Sequence, residues 1–282
     1  MAKDSWIDHS RLLPVRRRWA LVNLLARSAH NFQTHRTGRN ATLVAHFGFL
    51  AVFPLFLVLT TVLGFVLQNY PKLQERIVAS AFNRVPIIGQ QVGSDPSKLK
   101  GSTVVLIIGL LVATWAGLKA FNALQIALDD VAEVDLDDRP NLLRTRLRSL
   151  LGIAIVGTSQ IGGAVLTSFI GVSGVPGVFK LLFAVAAVAL NAAVLAATYR
   201  WLCVRPQSWR QVAPGAAFAG FLFALLQVAG TAVVARSIAN ASPVYGTFAS
   251  VIGLITWLGL HSTVALLGAE LNHALPARRY EG

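Results

Sequence analysis

From residue 43 onward the chain alternates between long apolar stretches and more polar connections, two of them rich in arginine. The apolar stretches cover 43–67, 102–128, 150–170, 177–204, 214–237 and 248–271. Each reaches or exceeds the roughly 20 residues a helix needs to cross a hydrocarbon core. Runs of this length without strict alternation predict helices rather than strands. Lipid demands the same, since it leaves no water to satisfy an open backbone. The pattern predicts an all-α, polytopic membrane helical bundle with six transmembrane helices. Pro54 lies mid-way along the first stretch, where its missing N–H should kink or break the helix.

Two flanking segments are amphipathic. Val15, Trp19, Val22, Leu25, Ala26, Ala29 and Phe32 recur at helical spacing, with Arg16, Arg17 and Arg27 off that stripe. A helix lying in the membrane interface fits, its arginines on anionic lipid headgroups. The other reading is a helix packed on the bundle. Between the first two stretches, the connection 68–101 is too long for a turn. Pro71 suits a first helical turn, and Leu73, Ile77, Val78, Ala81 and Phe82 form one apolar stripe. This predicts an amphipathic helix in the outer loop, acting as a lid over a cavity or as a surface plug. The resulting division is a basic segment over 1–41, a six-span membrane domain over 42–275 and a tail over 276–282. The first apolar run begins too deep for a cleavable leader, so it is expected to stay as a span.

Charge orients these elements. Only 13% of the residues are charged, against roughly 25% in a soluble domain, and 55% are hydrophobic. Seventeen Lys and Arg fall in the N-terminal segment, the second-to-third and fourth-to-fifth connections and the tail. The opposite connections hold six, or seven with Lys180. The positive-inside rule then places both termini in the cytoplasm. The net charge of +13 answers to anionic lipid on that side and not to nucleic acid. Cys203 is the single cysteine, so no intrachain disulfide can form.

Polar side chains at membrane depth are the candidate chemistry. Gln160, Asn191, Gln227 and His261 lie on four different stretches at similar depth, where they can converge on one polar cavity. The other reading of each is interhelical glue, worth ~0.6 kcal/mol. Lys119, His46 and Glu270 sit nearer the interfaces, and an ionised Glu270 needs a basic or hydrogen-bonding partner, for which Lys119 or an inner-loop arginine is a candidate. The acidic stretch 129–138 lacks the glycine and closing glutamate of a calcium loop and reads as a solvated cap paired with nearby arginines. No nucleotide-binding loop, metal-ligand spacing or nucleophile elbow occurs, so neither an enzyme nor a cofactor or metal site is expected.

Three stretches carry a resemblance. The first runs from His46 to Phe56 and holds Phe53-Pro54-Leu55. The second spans Trp115 to Asn122 and includes Lys119. The third opens with Tyr245-Gly246-Thr247-Phe248 and closes with Leu267-Gly268-Ala269-Glu270-Leu271-Asn272. Together they resemble the BrkB/YihY family of bacterial inner-membrane proteins, in its YhjD-like branch. The resemblance covers nearly the whole chain and departs at Asp129, where many relatives carry Asn. It implies six spans, a place in the bacterial inner membrane and a part in envelope integrity. For the YhjD-like branch it implies movement of lipid or lipopolysaccharide precursors. Apart from the resemblance, the basic cytoplasmic side makes membrane lipids the expected partners, with a further copy of the chain as another candidate. A non-transporting membrane scaffold is the alternative. The family has also carried a ribonuclease label, for which no phosphodiester-cleaving residues stand in this sequence.

Overall fold

The computed structural model describes residues 20–66, 103–170, 176–205, 207–239 and 246–277. Among them are seven α-helices and no strand: α1 Ala20–Thr34, α2 Thr37–Val66, α3 Thr103–Val131, α4 Leu142–Ile170, α5 Gly177–Leu202, α6 Trp209–Ala239 and α7 Gly246–Ala277. One 3₁₀ turn, Leu136–Asp138, lies between α3 and α4. Four segments, Ile107–Val131, Gly177–Leu202, Trp209–Gln227 and Val251–Leu275, are long and apolar enough to cross a membrane. The outer-loop helix, Arg16, Arg17 and Tyr245 lie outside the described residues.

Several helices run past their apolar stretches. α4 starts at Leu142 rather than 150, α2 at Thr37 rather than 43, and α7 continues to Ala277. The added turns mix Leu and Arg with small polar residues, which are acceptable in a helix and poor in lipid. Hydropathy detects only the lipid-compatible part. Pro54 and Pro214 both lie inside helices, α2 and α6, that continue beyond them.

Each helix from α2 to α7 packs on the next in chain order, and α7 returns to α2, which closes the circuit. The contiguous buried cluster gathers at one end. It joins Ala41 of α2, Leu128 and Val131 of α3, Tyr199 and Leu202 of α5, Val212 and Ala216 of α6, and Leu266 and Ala269 of α7. These are the N-terminal ends of α2 and α6 and the C-terminal ends of α3, α5 and α7, so successive helices alternate in direction. Away from that end, Ile107, Leu111, Leu181, Leu182, Phe221 and Ile252 stand exposed. Lipid tolerates such a surface and water does not.

Small residues set the closest approaches. A Cβ on Gly220 would lie 2.8 Å from the backbone nitrogen of Ala192, and one on Gly215 only 1.9 Å from the carbonyl oxygen of Gly268. On Gly152 a Cβ would meet the Phe121 ring at 2.4 Å. A ring can move where backbone cannot. Gly152→Ala should therefore cost about 1–3 kcal/mol as overpacking, and Phe121→Leu should recover part of it in a double-mutant cycle read by thermal unfolding in detergent.

α1 docks on α7 and α2. Ser28 is buried there, whereas Val22 and Leu25 of the apolar stripe are 39% and 57% exposed. Further along the stripe, Ala26 is half-buried and Phe32 packs beside Gly38 of α2.

Candidate functional site

At the packed end, the turn between α1 and α2 meets Glu270 of α7. The turn between α1 and α2 is tightened by His35 N–H donating to Asn31 O at 2.8 Å, and Arg36 takes a left-handed φ of 54°. That turn delivers His35 and Thr37 to the last turns of α7. Thr37 Oγ1 donates to Glu270 Oε1, and His35 Nδ1 lies 3.1 Å from each carboxylate oxygen. Glu270 is fully buried. A buried carboxylate is tolerable only with such donors. Lys119 is exposed, and histidine and threonine, rather than a lysine or inner-loop arginine, meet the carboxylate.

The far nitrogen of the same imidazole faces a second carboxylate. His35 Nε2 is 3.4 Å from Glu133 Oε1, and His273 Nε2 is 3.6 Å from that oxygen. The two histidine rings stand edge to face at 5.6 Å. His35 is held above its ordinary pKa, first by the hydrogen bond to Glu270 and against the effect of burial, with the Glu270 charge and Glu133 adding to the rise.

Glu133 owes its position to the end of α3. Val134 N–H reaches Asp129 O at 2.9 Å and Glu133 N–H reaches Asp130 O at 3.2 Å. This is the Schellman closure, in which the residue after the cap turns left-handed. Glu133 occupies that place with φ 52°. Glycine is the usual occupant, since a side chain there costs roughly 1 kcal/mol or more.

The acidic stretch is divided. Asp129 and Asp130 belong to the last helical turn. Asp129 is buried and accepts the Val204 N–H at 2.8 Å, so it is not a solvated cap. Asp130 pairs with Arg139 at 2.7 Å, as expected of a neighbouring arginine, and accepts from Asn40 at 2.9 Å.

Asn272 follows Glu270 by two residues and so points from a different face of α7. Its Oδ1 accepts the Gly215 N–H at 2.7 Å and its Nδ2 donates to Val212 O at 3.0 Å. The amide spans the turn of α6 that holds Pro214. Tyr199 OH donates to Ala265 O, which ties α5 to α7. The closing motif thus divides its labour among a crossing point at Gly268, a buried carboxyl group at Glu270 and a clamp at Asn272.

The mid-depth set is placed differently. Asn191 and Gln227 are half-buried, on α5 and α6, and the Gln160 side chain lies outside the described residues. His261 is also half-buried. Its Nδ1–H donates to Trp257 O at 2.9 Å within its own helix, and its ring stacks on Trp257 at 4.0 Å. Trp115 is exposed, Arg27 half-buried, and Gly246 opens α7.

A family model described as Virulence factor BrkB matches residues 28–282. The chain belongs to the BrkB family. The match takes in α2 to α7 and every residue around Glu270. This BrkB-family chain is also similar to a protein of Bacillus subtilis (strain 168) named "Putative ribonuclease-like protein YfkH". The two are 24% identical over 267 residues, covering 88% of this chain and 93% of the relative. No solved structure matches. Sequence reasoning singled out Glu270 and Asn272 but missed His35, Thr37, Glu133 and His273. Only the adjacency of His273 to the closing motif could have pointed to one of them.

Proposed function

We propose that this BrkB-family membrane protein crosses the bacterial inner membrane with all six long helices, both termini in the cytoplasm, and moves a lipid or other amphipathic envelope component. The observation that carries this reading is the uneven packing of the bundle. One end is closed by the buried cluster and the Glu270 network, while α3, α5, α6 and α7 present large apolar side chains in the open further along. That arrangement suits acyl chains entering between helices above a sealed floor. Asn191, Gln227, His261 and, by its depth in the sequence, Gln160 are the side chains we assign to a polar wall for the headgroup.

Orientation follows from charge. Arg139, Arg144, Arg146, Arg148, Arg200, Arg205 and Arg210 all belong to the closed end. Their placement supports a cytoplasmic floor with anionic headgroups around it. α1, with Val22 and Leu25 turned outward, then lies in the interface. In this reading the chain is not an enzyme, and the word ribonuclease stays with the relative that bears it.

The test has two arms. In a Cys203→Ser background, cysteines placed at Asp137 and at Ser97 should label from opposite faces, Asp137 from the cytoplasm. Reconstituted in vesicles with a fluorescent phospholipid, the protein should raise the fraction of label reached by an impermeant quencher. Native mass spectrometry of the same preparation should retain lipid and report the oligomeric state. Labelling of both sites from one face overturns the topology. Vesicles no leakier to labelled lipid than empty ones, with no lipid retained, point to the scaffold instead.

A further inference from the structure

We propose that His35 Nε2, His273 Nε2 and a carboxylate oxygen of Glu133 form a binding site for a divalent transition-metal ion of zinc-like preference. The three ligand atoms all lie within 4.8 Å of one another. One separation, 3.4 Å, matches the edge of a tetrahedron with metal–ligand bonds of about 2.0–2.1 Å, and the second, 3.6 Å, exceeds it by roughly 0.2 Å. The third separation, between the two imidazole nitrogens, is within 4.8 Å, and the half-buried His273 would have to turn toward His35 to complete the site. Two imidazoles and one carboxylate suit zinc and its neighbours and leave a fourth position to water. Glu133 is 64% exposed on its side chain, which supplies an entry path.

Two observations beyond proximity support the assignment. Glu270 grips His35 through Nδ1 with both carboxylate oxygens at 3.1 Å, so the ring is oriented with Nε2 toward Glu133. A buried carboxylate behind a ligating histidine is the usual device for fixing tautomer and raising ligand basicity. A cation between His35 and Glu133 takes the place of any proton on Nε2. Glu133 itself sits at the left-handed position of a helix cap where glycine would be easier. Backbone strain kept at a cluster of ligands is a pointer to function. The three residues come from the end of α1, the cap of α3 and the end of α7, so a bound ion would clip those elements together at the closed end. The site stands independently of the transport reading.

The experiment uses the full-length protein in detergent, purified without a polyhistidine tag and stripped with a chelator. Titration with Zn²⁺ alone, by calorimetry and by metal analysis after desalting, should give one ion per chain and a higher apparent melting temperature. Co²⁺ should give the visible bands of a tetrahedral ion. Glu133→Gly should fold at least as stably as the parent, because glycine suits the cap, and should bind Zn²⁺ at least tenfold more weakly. His273→Ala should lose affinity similarly. Parent protein without saturable Zn²⁺ binding overturns the proposal. So does binding of equal affinity in the Glu133→Gly and His273→Ala variants, each shown folded by its metal-free melting curve.

Discussion

Gly215→Ala should destabilise the bundle at or beyond the upper end of the ~1–3 kcal/mol that overpacking costs. The added methyl would stand 1.9 Å from Gly268 O and 2.6 Å from the Asn272 amide oxygen. Neither can retreat easily, since the first is helix backbone and the second holds the Gly215 N–H and Val212 O together. Gly268→Ala should behave alike, as its methyl would meet Gly215 O and Tyr199 OH at 2.6 Å. Gly157 offers the control, because nothing lies within 4 Å of a Cβ there. Gly157→Ala should be neutral or slightly stabilising, since alanine gains up to ~1 kcal/mol of helix propensity. Size-exclusion profiles and melting curves in one detergent would rank the three. Equal behaviour of Gly215→Ala and Gly157→Ala would contradict the close crossing of α6 and α7.

Removing the Glu270 carboxylate should be as damaging. Glu270→Ala strands the Thr37 hydroxyl and the His35 imidazole in the packed end, and breaking a buried pair costs about 3–5 kcal/mol. Glu270→Gln keeps an acceptor for Thr37 and loses the charge-assisted bond to His35, which puts the loss near 1.5–3 kcal/mol. Glu133→Gln removes an exposed partner of the same imidazole and should cost under about 1 kcal/mol after solvent screening. The expected order of melting temperatures is parent, Glu133→Gln, Glu270→Gln, Glu270→Ala. A Glu270→Gln protein that melts with the parent yet fails to move lipid would reassign the carboxylate from structure to function.

These two experiments probe features that the sequence showed and did not explain. The closing Leu267–Asn272 motif is conspicuous as a string of letters. Its meaning lies in three separate partners: Gly215 across from Gly268, Thr37 and His35 around Glu270, and the Pro214 turn beneath Asn272. A polar residue near the end of a span signals a need for a partner, but not which one. Lys119 was the nearest in depth, and it is exposed.

What the sequence determined by itself are the quantities that depend on one residue and its chain neighbours. Apolar runs long enough for lipid locate the helices, and the α5 start at Gly177 coincides with the expected one. Arginine-rich connections mark the end on which charge gathers. α2, α4 and α7 run past their apolar stretches, because hydropathy reports compatibility with lipid and not hydrogen bonding along the backbone. Tertiary structure alone decided the pairings. His35 and Glu270 stand 235 residues apart, and Glu133 lies 98 from His35. Which of several polar side chains meets Glu270 depends on where the turn between α1 and α2 docks against α7. It depends also on where the left-handed turns at Arg36 and Glu133 aim their neighbours. Both are properties of pairs of helices in contact, and no local pattern along the chain encodes them.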